Sequence, residues 1–460
     1  MKKVILFILL YFSILPFAQA QRNYAQEFFI LLYQEKYFEA REFKKQYASQ
    51  LSQHKALDLM YDIHISLEFN KPDSAIVYLE EFLGNQDYIQ VLGPLIATYY
   101  SRLSGVYEEK QQFGHSISTI ERHIAYLERN PYSMDQDFVE KEIREARTKI
   151  SSLKEKAENE PIRRIKRDSD ACGIELKDGT HIRFDAKYNG QTVETFFDTG
   201  SSYFFFIEKA LADDLGVKYR PSQDLGLLNG SPANLFEGII DSVELKGVKL
   251  YDIPVAVFNG KYLSNMPDNL NADQIKNIEE HFLKNRQIVM GLPAMKMIGR
   301  FEFDWKSNVL CLPPRQESVG ISPASNFMII KNIPYLNIKI NDVGFTGHFD
   351  TGADQFLFLT NTYFWSKSTS LKFEDAQKHP FTRVGFTGVH EVERQRVKSP
   401  HIYFDGRKIS NSNSDSEVYA LDLVWANLNS FDGEVGVKFI KDFYSKCIID
   451  FDAMTIECED

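Results

Sequence analysis

Two periodicities divide the chain. From residue 21 to about 158, apolar side chains recur at the spacing of amphipathic helices. Phe28, Phe29, Leu31 and Leu32 lead to Tyr37-Phe38-Glu39-Ala40, and Ile76, Tyr78, Leu79, Phe82 and Leu83 follow Asn70-Lys71-Pro72-Asp73-Ser74. Here Pro72 is expected to stop one helix and Asp73 or Ser74 to cap the next. Tyr107 to Leu127 breaks near Gln112 to Gly114 and resumes with Ile117, Ile120, Ile124 and Leu127. Glu140 to Lys156 is a charged helix, the pattern of a solvated face or connector. Beyond residue 170 the period shortens to that of strands, with Phe, Tyr, Ile and Val between turn signals, an all-β pattern.

Within this β region a short pattern is written twice. Phe196-Phe197-Asp198-Thr199-Gly200-Ser201-Ser202 and His348-Phe349-Asp350-Thr351-Gly352-Ala353-Asp354 each follow an apolar run and precede another. Upstream, Ala186 to Gln191 aligns without a gap on Ile338 to Val343, at the same spacing of 152 residues that separates Asp198 from Asp350. Both copies run an alternating strand into an Asn-Gly or Asn-Asp hairpin turn. This is an internal duplication, and it predicts two aspartates related by a pseudo-two-fold axis. Each loop lifts one carboxylate out of an apolar setting.

On these residues the chain resembles the pepsin and retropepsin type of aspartic peptidase, over residues 170 to 460. The first copy is similar to the pepsin form and the second to the retroviral form. The resemblance implies a bilobal all-β peptidase domain, water activated between Asp198 and Asp350, and no cofactor and no metal. It further implies that Thr199 and Thr351 brace the opposite loop, that Gly200 and Gly352 permit the close turn, and that Asp354 contacts substrate. Glycine-bearing hairpin tips, with Gly226 and Gly230 in one lobe and Gly385 and Gly388 in the other, are the expected flaps over a peptide or protein substrate. Ser201 can donate a hydrogen bond to Asp198 whereas Ala353 cannot do so for Asp350, which predicts Asp198 as the more ionised member. The closing strand of lobe one is Ile288-Val289-Met290-Gly291. In lobe two Val435-Gly436 takes that place, but Gly433 and Glu434 stand where apolar residues are expected, leaving the packing behind the Asp350 loop open.

The expected layout is a signal peptide at 1–20, a helical domain similar to tetratricopeptide repeats at 21–160, a basic linker at 161–170, lobe one at 171–317 and lobe two at 318–460. The signal peptide is read from Lys2-Lys3, the apolar run Val4 to Phe17 and Ala18-Gln19-Ala20, so the mature chain is expected to be exported, with no integral membrane span. An amphipathic helix is expected at about 272 to 285, and a polar excursion at 410 to 417. The helical domain is either a docking site for a protein partner or a plain bundle. Net charge −11 argues against nucleic acid or an anionic membrane surface as a partner. Cys447 and Cys458 fall at facing positions of the last hairpin, and Cys172 with Cys311 is a second possible disulfide; four free thiols remain the alternative. No His-Glu-x-x-His, Gly-x-Ser-x-Gly or phosphate-loop pattern points to another hydrolase. A catalytically inactive peptide-binding protein with the same fold is the remaining alternative.

Overall fold

The computed structural model describes residues 22–129, 136–168, 171–221, 226–228, 231–233, 235–258, 287–316, 320–341, 343–360, 371–374, 378–385, 388–409, 418–421 and 432–460. The signal-peptide reading, the helix expected at 272 to 285 and the polar excursion at 410 to 417 lie outside them. The chain divides into two compact units, one ending at Ile162 and the other running from Arg163 to Asp460.

The first unit is helical. Three pairs of helices follow one plan: Tyr24–Tyr33 with Tyr37–Gln46, Lys55–Glu68 with Pro72–Gly84, and Ile96–Glu109 with Phe113–Arg129. In each pair a left-handed residue, Glu35, Asn70 or Gln111, stands two positions before the second helix. The next amide, of Lys36, Lys71 or Gln112, donates back to the carbonyl of Leu31, Ser66 or Tyr107. This is the αL termination that satisfies the orphan carbonyls of a helix end. Three residues into each second helix comes a small buried residue, Ala40, Ala75 or Ser116, each 0 % exposed. A small side chain there lets the partner helix approach closely. Pro72 does not end the preceding helix, as expected from the sequence, but is the first residue of its own helix, and Lys71 is the N-cap. Proline suits that position because its missing N–H is one that helix would leave unpaired anyway. The charged helix Gln136–Asn159 buries only Val139 and Leu153, the latter against Phe113 and Ile120.

The second unit is β-rich. Lobe one contains β1 (Arg164–Arg167), β2 (Cys172–Glu175), β3 (Arg183–Tyr188), β4 (Gln191–Phe197), β5 (Phe205–Glu208), β6 (Lys218–Pro221), β7 (Gly226–Leu228), β8 (Ser231–Ala233), β9 (Leu235–Leu245), β10 (Val248–Phe258), β11 (Gln287–Met290), β12 (Arg300–Asp304) and β13 (Val309–Cys311). Lobe two contains β14 (Phe327–Ile330), β15 (Ile333–Ile340), β16 (Val343–Asp350), β17 (Leu357–Leu359), β18 (His379–Gly385), β19 (Gly388–Arg396), β20 (Ile402–Phe404), β21 (Arg407–Ile409), β22 (Val418–Leu421), β23 (Gly433–Gly436), β24 (Lys446–Asp450) and β25 (Thr455–Glu459).

In lobe one the order β10-β5-β11-β4-β3-β9 closes on itself through the β9–β10 pairing, giving a six-stranded barrel. Lobe two repeats the part of this order that carries the loop, β17-β23-β16-β15 matching β5-β11-β4-β3. Tyr188 faces Gln191 across the first hairpin, and Ile340 faces Val343 across its counterpart. The turn residues Asn189 and Asn341 both adopt left-handed φ, 48° and 49°. β11 runs parallel to β4 and antiparallel to β5, as β23 does to β16 and β17. The lobes diverge where lobe one has its two long strands. β9 corresponds to the separate strands β19 and β20, and β10 to β21 and β22.

A five-stranded sheet, β2-β13-β12-β24-β25, ties the lobes together, with β12 of lobe one antiparallel to β24 of lobe two. Its Phe301 and Phe303 pack edge-on against Phe197, directly beneath the Asp198 loop, at 5.1 and 5.4 Å between ring centres. Both outer strand pairs carry a disulfide, Cys172 with Cys311 across β2–β13 and Cys447 with Cys458 across the β24–β25 hairpin.

The stretch read as a basic linker includes a strand. β1 pairs with β10 at the edge of the lobe-one sheet. Arg167 donates to the carbonyls of Leu312 and Ile298, Arg164 pairs with Asp252 at 2.9 Å, and Arg163 lies over the Phe204 ring. The guanidinium groups therefore have partners in the second unit that the sequence does not place nearby.

Candidate active site

Each Asp-Thr-Gly stretch leaves the end of a buried strand, β4 or β16. Asp198 continues the register of β4, its amide donating to the Met290 carbonyl at 3.0 Å, and Asp350 stands opposite Gly436 of β23. The aspartates are thus presented by strands held on both sides. A loop fixed this way has little freedom to move its carboxylate.

The two loops are locked to each other. The Thr199 amide donates to Thr351 Oγ1 and the Thr351 amide to Thr199 Oγ1, both at 3.0 Å. Each hydroxyl then donates onward across the axis, Thr199 to the Phe349 carbonyl at 2.7 Å and Thr351 to the Phe197 carbonyl at 2.9 Å. Both threonines are completely buried. This is a reciprocal four-bond lattice, which a local side-chain to backbone turn would not give.

Within each loop the glycine amide donates to its own aspartate, Gly200 to Asp198 Oδ1 and Gly352 to Asp350 Oδ1, both at 2.8 Å. A Cβ on Gly200 would lie 2.6 Å from Asp350 Oδ1, and one on Gly352 would lie 2.7 Å from Asp198 Oδ1. Glycine is required here because each carboxylate sits against the other loop's backbone. Each carboxylate is thereby brought against the other loop, and the Asp350 charge acts on Asp198.

That geometry acts on the titration of Asp198. Burial, then the Asp350 charge and the hydrogen bond with it, push Asp198 well above the ordinary carboxylate range, against the opposing amides of Gly200 and Ser201. Burial and Asp350 outweigh the donors on which the expectation of a more ionised Asp198 rested. Ser201 acts on Asp198 through its amide, while its hydroxyl lies near Gly291. Asp198 is only 7 % exposed, and desolvation outweighs the amide donors.

A raised native-state value has a consequence for stability. Between the unfolded value, ~3.9, and the raised native value, the folded chain binds more protons than the unfolded one, so stability falls as pH rises through that window. Asp198→Asn removes the penalty. The variant is expected to melt about 2–4 °C above the wild type at pH 7, with the gain vanishing toward pH 4, as followed by thermal unfolding at both pH values.

Other residues are placed as follows. Asp354 is exposed on the Asp350 loop, where its charge acts on His181, whose own titration is lowered chiefly by burial. Gly226 opens β7, and Leu228 of β7 faces Ser231 of β8; Gly385 and Gly388 face each other at the end of the β18–β19 hairpin. Gly230 lies outside the described residues. Sequence reasoning missed His181, His348, Gln355 and Glu434. His181 packs 5.2 Å from the Phe196 ring. His348, Asp350 and Glu434 bring three donor atoms within 4.8 Å of one another, and Gln355 donates to the Glu434 carboxylate. These are metal-ligand types, but Asp350 belongs to the dyad and Glu434 already accepts from Gln355, so the group is accounted for within the site. The signal for them was available in the duplication itself, since His348 and Gln355 stand 152 residues after Phe196 and Tyr203.

Comparison with known proteins bears on lobe one. Residues 184–272 match the Aspartyl protease family model. No curated protein matches the chain. The matched segment holds β4, the Asp198-Thr199-Gly200 loop and the β7–β8 hairpin. The six-stranded barrel of lobe one fits a retropepsin-like aspartyl protease fold. The second copy of the loop lies outside the matched segment and repeats the strand register of the first.

Proposed function

We propose that this chain is an exported aspartic endopeptidase in which Asp198 and Asp350 activate one water molecule. The observation that carries the proposal is the facing pair of carboxylates, each held against the other loop, accepting from its own glycine amide and braced by the threonine lattice. Two carboxyls in so buried a site share one proton. The carboxylate of Asp350 takes a proton from the water as that water attacks the scissile carbonyl, and protonated Asp198 donates to the developing oxyanion. Collapse of the tetrahedral species breaks the C–N bond as a proton passes to the leaving amine. No covalent enzyme intermediate is needed. The pair titrates as a unit.

A peptide substrate lies as an extended strand across the two loops, beneath the β7–β8 and β18–β19 hairpins. Export is supported by the apolar N-terminal pattern and by paired cysteines, which suit an oxidising compartment. Among the described residues no helix is long and apolar enough to cross a membrane. The helical unit, with its three identically terminated hairpins, is read as a tetratricopeptide-like docking module for a protein partner.

The test is digestion of a diverse peptide mixture by the full chain from pH 3 to 8, read by mass spectrometry. Cleavage blocked by a non-hydrolysable hydroxyl analogue of the tetrahedral species, and indifferent to a metal chelator or a serine-directed reagent, is expected. Binding of that analogue without any cleavage would replace the peptidase with a non-catalytic peptide-binding protein.

A further inference from the structure

Two histidines of the helical unit are packed as neutral rings. His64, in Lys55–Glu68, joins all three helix pairs. Its Nδ1 lies 3.1 Å from the hydroxyl of Tyr37, which opens the second helix of the first pair, and its Nε2 lies 3.4 Å from the hydroxyl of Tyr99, in the first helix of the third. The ring stacks on Tyr37 at 5.5 Å and meets Tyr99 edge-on at 5.9 Å. His64 is intermediate in exposure, yet both ring nitrogens are taken. The neighbouring charge is a cation, since Arg102 stands beside it and holds Glu68 at 2.6 Å. Burial, then Arg102, push the His64 titration down to about 3.

His123, in Phe113–Arg129, is only 8 % exposed and stacks on Tyr100 of the preceding helix at 5.2 Å. Its Nε2 is buried without a hydrogen-bond partner. The ion pairs on the same helix, Arg122 with Glu80 at 2.7 Å and Glu128 with Arg147 at 3.6 Å, are solvated and closed on each other. Burial is what lowers the His123 titration. A charge placed on that ring would meet neither water nor a carboxylate, and an unpaired buried charge is costly.

We propose that the helical unit is an acid-opened element, closed while His64 and His123 are neutral and loosened when the helix pairs that these rings join part to admit their protons. An imidazole in open chain takes its proton near 6.5. As pH falls below that value the open form binds protons that the closed form does not, so closure weakens by up to about tenfold per pH unit for each ring until its native value is reached. Asp62, raised chiefly by burial and held by Lys44 at 3.2 Å, works the other way in the same unit. In the peptidase unit Asp198, raised by burial and by Asp350, offsets His181, which burial lowers. Mild acid therefore loosens the helical unit while the peptidase unit stays closed.

The experiment is hydrogen exchange of the full chain at pH 7 and pH 5, corrected for the intrinsic rate and read by mass spectrometry on segments of each unit. Opening of Lys55–Glu68 and Phe113–Arg129 is expected to rise at least about tenfold at pH 5 relative to β4 and β16. His64→Gln together with His123→Leu is expected to bring that pH ratio to within about threefold. A purely packing role would shift the level of opening at both pH values and keep the ratio, which would overturn the proposal, as would equal protection of the wild-type helices at pH 7 and pH 5. Titration of the two imidazoles in the wild-type chain by NMR needs no variant. Both are expected to charge below the ~6.5 of a free imidazole, and charging of either at or above that value would overturn the assignment.

Discussion

Asp350→Asn is expected to lower kcat/KM for peptide hydrolysis by at least ~10³-fold, the scale of a positioned acid or base at a developing charge, while the protein stays folded. The side chain keeps its size, and the Gly352 amide that donates to Asp350 Oδ1 at 2.8 Å can donate equally to an amide oxygen. What disappears is the proton acceptor. Thr351 and Thr199 are untouched by the change, so their reciprocal bonds still hold the loops together. Steady-state kinetics on a peptide found in the digest, together with a circular dichroism melt, checks both halves of the expectation. Activity within tenfold of wild type would remove Asp350 from the chemistry.

Gly433→Ala is expected to destabilise the peptidase unit by about 3 kcal/mol or more, the cost of forcing an added methyl into a core that cannot yield. Its Cβ would stand 1.9 Å from the Phe358 carbonyl oxygen and 2.9 Å from the Phe345 ring. That carbonyl is held in the ladder between β17 and β23, so retreat would break the strand that backs Asp350. Gly344→Ala is the control, since nothing lies within 4 Å of the position its Cβ would take. Denaturant midpoints should separate the two variants clearly.

The same residue explains where the sequence misled. Gly433 and Glu434 look unlike a closing strand when judged by hydrophobicity, yet β23 forms, parallel to β16 and antiparallel to β17. Glycine is demanded by a carbonyl 75 residues away in the chain, and Glu434 is tolerated because its neighbours His348 and Gln355 are polar as well. Neither reason is local. The dyad loops were legible because their determinants are local: apolar strands, a left-handed asparagine turn, and glycine after threonine. The upward push on Asp198 was not, because it depends on how much water that carboxyl loses and how near Asp350 comes, which only the packed structure fixes. Arg163 to Arg167 likewise read as solvated charge because the carbonyls of Ile298 and Leu312 that receive Arg167 lie far along the sequence. In the helical unit the break near Gln112 was plain, whereas the role of Pro72 turned on which neighbouring turn took the αL residue, and that proved to be Asn70.

The most direct test of a single water-activating pair is a double-variant cycle on one peptide substrate, comparing Asp198→Asn, Asp350→Asn and the two together. If the carboxyls act as one unit, either single change already removes the function and the double variant is no more than a few-fold slower than the slower single. Losses that multiply would mean that Asp198 and Asp350 act independently, and would contradict the account.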